Sequence, residues 1–121
     1  MSQEQDIINV SNQIQEKISF IETIRKQIGI RGKEKAKKET EYEKAISITI
    51  IKLKNGVKFK FEDQDVLNPP TTVIKDIAKG ICWKEKLAME ESNMSYKSAI
   101  TNISALESEL SALQSLHKYL Q

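Results

Sequence analysis

Two long stretches of the chain repeat apolar residues at every third or fourth position. In the first, QEQDIINVSNQIQEKISFIETIRKQIGI, Ile7, Val10, Ile14, Ile21, Ile24 and Ile28 take the a and d positions of a heptad. Lys17 interrupts one d position, and Ile18 lies beside it. This spacing sets the isoleucines on one stripe of a helix and leaves Glu and Lys on the other side. In the last stretch Met89, Tyr96, Ile103, Leu110 and His117 occupy a, while Ala99, Leu106, Leu113 and Leu120 occupy d, with Ser92 the weak d. Two long helices with matching stripes predict an antiparallel helical hairpin. One hairpin buries little, and Ile at both a and d favours more than two strands. Ile7, Val10, Ile14, Ile21, Ile24, Ile28, Ile103, Leu106, Leu110 and Leu113 are therefore expected to form an oligomer seam.

The middle of the chain reads two ways. The segment KEKAKKETEYEKA is helical in its charge spacing, but Ile46-Ser47-Ile48-Thr49-Ile50-Ile51 is mostly β-branched and favours strand. In one reading the helix runs to about residue 53, with Tyr42, Ile46, Ile50 and Leu53 on one face and Asn55-Gly56 as the stop. In the other, Lys54-Asn55-Gly56 is a three-residue hairpin loop that sets Leu53 opposite Val57 and Ile51 opposite Phe59. The helix is favoured slightly, and a small β-hairpin near 50–61 is the other expectation. FEDQDVLNPP reads as a loop ended by two prolines. Thr71 or Thr72 is a suitable N-cap for a short helix, with Gly80 as its stop. The expected architecture is one all-α domain over 1–121. Its parts are a helix at about 4–53, an ordered crossover at about 55–80 with a short helix at 72–79, and a helix at about 82–119.

Composition narrows the chemistry. Apolar residues make up 39% and charged residues 30% of 121 positions, enough for a seam between helices but not for a thick core. The single cysteine allows no internal disulfide, and the chain lacks a Cys/His set for zinc. No apolar run nears the ~18 residues of a membrane span, and no basic-then-apolar leader opens the chain. These features predict a reducing, cytoplasmic setting without a membrane partner.

The net charge of +2 is unevenly placed. Residues 1–30 carry three basic and four acidic groups, 31–60 ten and four, and 61–121 six and nine. The basic third can attract phosphates, although such blocks are more often the solvated face of a helix. KLKNGVKFKF interleaves lysines with Phe59 and Phe61, a pattern suited to single-stranded nucleic acid when the rings are free to stack on bases. The competing arrangement turns Val57, Phe59 and Phe61 inward over the end of the hairpin. Candidate binding residues for nucleic acid or a protein partner are Lys52, Lys54, Lys58, Lys60, Phe59, Phe61, Arg31, Lys33, Lys37 and Trp83.

Catalysis finds little support. His117 is the only histidine. Along a helix at about 1.5 Å per residue it lies roughly 50 Å from Cys82, which excludes a Cys–His pair within the chain. Glu39, Glu41 and Glu43 spread around a helix, Asp63 and Asp65 lack calcium-loop spacing, and Gly29 and Gly32 do not form a phosphate loop. No catalytic residue, cofactor or metal is expected.

The run LKNG, then NPPTTVIKDIAKGICWKEK and YKSAITNISALESELSALQSLHKYL, resembles small helical accessory proteins of Gram-positive phages and prophages, found near early replication and recombination genes. The resemblance spans roughly residues 30–120 and is sharpest at Pro70-Thr71, Ala78-Lys79-Gly80 and Leu113-Gln114-Ser115. It implies a phage-encoded accessory protein working in the host cytoplasm, and with no catalytic residue expected from the chain its role is binding. Two roles follow: supporting recombination or replication on nucleic acid, or binding and inhibiting a host factor or sequestering a signalling nucleotide.

Overall fold

The computed structural model describes residues 2–121 and is an all-α helical hairpin with a small two-stranded sheet. The elements in order are α1 (Gln3–Lys54), β1 (Phe59–Phe61), β2 (Gln64–Val66), α2 (Ile74–Ile81) and α3 (Trp83–Leu120). The chain divides into two compact units: residues up to Gly32 together with Ser95–Gln121, and Lys33–Met94.

In the first unit the heptad stripes of α1 and α3 serve each other. Val10, Ile21 and Ile24 are buried, as is Ala99 on α3, while Ile7, Ile14, Ile28, Ile103, Leu106, Leu110 and Leu113 are half-buried. The residues expected to form an oligomer seam are thus buried or half-buried within the single chain. Lys17, at the interrupted d position, is also half-buried, and its ammonium pairs with Glu109. Its aliphatic stem can cover the seam while its charge meets a carboxylate at the edge. Arg25 pairs with Glu107 at 3.3 Å, and the Arg31 guanidinium donates to the Ser95 carbonyl at 3.1 Å. Both glycines of α1 stay helical. Gly32 lets the Tyr96 ring approach, since an added Cβ would stand 3.4 Å from it.

The second unit holds the crossover. α1 ends at Lys54 in a Schellman motif: the Gly56 N–H donates to the Leu53 carbonyl at 3.2 Å and the Val57 N–H to the Lys52 carbonyl at 3.0 Å. Gly56 takes φ +79°, the left-handed conformation that this cap demands. The β-branched run Ile46–Ile51 is thus helical, and its faces divide by burial. Leu53 is 1% exposed and forms the core with Ile74 and Ala78, packed by Ile46, Ile50, Phe59, Val66, Ile77 and Ile81. Ile48 and Ile51 point outward.

Three local expectations are corrected here. The hairpin does not turn at Lys54-Asn55-Gly56 but at Glu62-Asp63, both at positive φ, and pairs Phe59 with Val66, Lys60 with Asp65 and Phe61 with Gln64. The segment read as loop therefore supplies β2. Neither threonine caps α2, since Val73 occupies the N-cap and no side chain bonds there. Gly80 does not stop α2 but lies within it, where the Phe61 ring would come within 3.3 Å of an added Cβ. The helix ends one residue later, and Cys82 joins α2 to α3.

Candidate binding surfaces

The short strand β1 decides what the aromatic-basic motif can do. Strand alternation turns Phe59 and Phe61 to one face, where Phe59 packs on the Leu53 core and Phe61 lies over Gly80. Both rings are half-buried against these neighbours, which leaves little of either for a base. Val57, also considered as an inward residue, is exposed. Lys58 pairs with Asp65 at 3.2 Å, and Lys60 sits across the ladder from the same Asp65. Arg31 is held by the Ser95 carbonyl.

The remaining lysine candidates stay available. Lys33, Lys37, Lys52 and Lys54 are exposed, as is Lys44, and none of them pairs with a carboxylate among the described residues. Lys33, Lys37 and Lys44 are separated by four and seven residues, so they share one stripe of α1 over about 17 Å. The half-buried Lys35 and Lys38 are neutralised along the helix, Lys35 by Glu39 at 2.7 Å and Lys38 by Glu41 at 3.3 Å and Glu34 at 3.7 Å.

Reactive groups do not gather. Cys82 is buried, and its Sγ lies 3.3 Å from the hydroxyl of buried Thr49. Among the described residues no group of three His, Cys, Asp or Glu side chains could hold a metal ion. Among the described residues no helix is long and apolar enough to cross a membrane.

Two features escaped the sequence reading. In the first unit Phe20, 56% exposed, rims an open groove of about 490 Å³ whose other wall includes Ala105 and Leu106. In the second unit Trp83, singled out beforehand, is joined on the outward side of α3 by Leu87 and Met94. Their spacing, i, i+4 and i+11, was the available signal, overshadowed by the longer stripe on the opposite side of the same helix. No protein-family model, curated protein or solved structure matches the chain.

Proposed function

We propose that the protein is a non-catalytic accessory factor that binds nucleic acid through the phosphate backbone, in the phage or prophage setting implied by its resemblance. The observation carrying this reading is the outward row Lys33, Lys37 and Lys44, without carboxylate partners among the described residues; Lys52 and Lys54, likewise unpaired, lie further along α1 to either side of that row. Ammonium groups so spaced can neutralise successive phosphates and release their counterions. Because Phe59 and Phe61 are packed, the mode is tracking of the backbone, with no stacking by these rings. It therefore does not require unpaired bases.

Fluorescence anisotropy with a labelled duplex of about 20 base pairs tests this, with salt raised from about 50 to 200 mM. About three phosphate contacts give a slope of roughly −2.7 in log K against log salt. Lys33→Glu/Lys37→Glu/Lys44→Glu should abolish binding while preserving the helical circular dichroism. Absence of binding to duplex and single strand at low salt, or retention of full affinity by the triple variant, refutes the assignment. In the first case, one host protein co-purifying after nuclease treatment would favour the host-factor role.

A further inference from the structure

The lysine row leaves the outward stripe of α3 without a role. Trp83, Leu87, Glu90 and Met94 follow one another at intervals of four, three and four residues, the spacing of a coiled-coil seam. At about 100° per residue they fall within a 60° arc, whose centre lies about 140° round the helix from that of Met89, Ser92 and Asn93. Burial agrees with that geometry. Met89, Ser92 and Asn93 are half-buried, whereas Trp83 and Leu87 are each 50% exposed and Met94 is 68% exposed. A tryptophan and a methionine in one exposed row are residue types enriched at interfaces, and Leu87 between them adds apolar area.

The charges beside the row identify its occupant. Lys84 and Lys86 flank its first turn; about two turns further on, Glu91 flanks the row and Glu90 lies on its edge. All four are exposed, and none is in an ion pair among the described residues. Lys84 instead stands over the Trp83 ring, with Nζ 5.6 Å from the centroid. A second copy laid parallel would oppose lysine to lysine and glutamate to glutamate. Laid antiparallel, about a two-fold axis beside Leu87 and Ala88, it sets Lys84 against Glu91 of the other copy and Lys86 against Glu90. The same operation places Trp83 against Met94, a favourable sulfur–aromatic pairing, and Leu87 near its own image. Apolar row and charges are thus self-complementary in one direction only, the condition for an isologous interface.

We infer that residues 83–94 of α3 form an antiparallel homodimer contact between two copies of this chain. The contact rests on the geometry of α3 alone and does not depend on the nucleic-acid reading. A contact of about three turns is at the small end of specific interfaces, so a reversible dimer with Kd of roughly 10–500 µM is expected.

Sedimentation equilibrium over about 1–500 µM, with the emission of Trp83 (the only tryptophan) recorded in parallel, tests the inference. The expected result is a monomer–dimer equilibrium with a blue shift as dimer accumulates. Leu87→Ser should weaken it at least about tenfold with unchanged circular dichroism. Lys84→Glu/Lys86→Glu and Glu90→Lys/Glu91→Lys should each be monomeric alone. The quadruple variant carrying all four changes restores antiparallel complementarity and should dimerise again. A chain that remains monomeric at about 500 µM overturns the proposal, as does dimerisation insensitive to Leu87→Ser or to either double charge change. So does a monomer whose Trp83 emission shifts only on adding a DNA duplex or phosphatidylglycerol vesicles, which would give the stripe to another occupant.

Discussion

Leu53 and Ile51 stand two residues apart near the end of α1, yet one is 1% and the other 58% exposed. Truncating each to alanine therefore separates burial from residue type. Leu53→Ala removes about three carbon groups from a site closed by Ile74, Ala78 and Phe59, a transfer cost of roughly 2.4 kcal/mol at ~0.8 kcal/mol per group. The cavity left behind adds to this, since α1, α2 and β1 all border it and cannot all collapse into the space. The total expected is about 3–4 kcal/mol. Ile51→Ala loses little burial and gains a better helix former by a few tenths of a kcal/mol, so its cost should stay below about 1 kcal/mol. Urea denaturation followed by circular dichroism measures both, and amide exchange locates the loss. Protection in α2 should fall for Leu53→Ala and hold for Ile51→Ala. In the hairpin alternative, with a turn at Lys54-Asn55-Gly56, Ile51 and Leu53 would face the same side and suffer alike. Equal costs above about 2 kcal/mol, or a Leu53→Ala cost below about 1 kcal/mol, would refute the helical packing described here.

Two further outcomes test the placement of single residues. Gly29→Ala, at a helical position where an added Cβ meets nothing within 4 Å, should stabilise by about 0.5–1 kcal/mol. Gly80→Val puts a branched side chain where Phe61 is already 3.3 Å from a Cβ and should lower the urea midpoint instead. Cys82, 3% exposed, should resist Ellman's reagent in the folded protein and react fully in denaturant. Rapid labelling of the native thiol would contradict its burial against Thr49 of α1.

Much of the helical frame was legible because a heptad needs only periodicity. The stripe from Ile7 to Ile28 and that from Met89 to Leu120 each mark a buried face through period alone. The same logic identified Tyr42, Ile46, Ile50 and Leu53 as one face, and burial agrees at each of them. Turn chemistry was less legible. Glu62 and Asp63 are not the Asn-Gly signal of a two-residue hairpin, yet the antiparallel pairing of β1 with β2 holds both in the left-handed region. Gly80 resembled a helix stop because a glycine selected for space looks, in sequence, like one selected for its backbone.

Sequence by itself determined that two amphipathic helices would form and that a lysine-rich segment would lie between their apolar stripes. Tertiary structure decided which side chains remain available to a partner. Ile46–Ile51 could have been strand or helix, since β-branching opposes helix by only tenths of a kcal/mol per residue, and burial of Ile46, Ile50 and Leu53 outweighs that. Phe59 and Phe61 could have stacked on bases, but the strand that carries them packs against Leu53 and Gly80 and turns them in. Trp83 could have plugged the crossover, but α3 begins at that residue, directly after buried Cys82 and with Met89 on its inner side, so the indole is left outside. In each case local preference was weak and the area buried against another element settled the outcome.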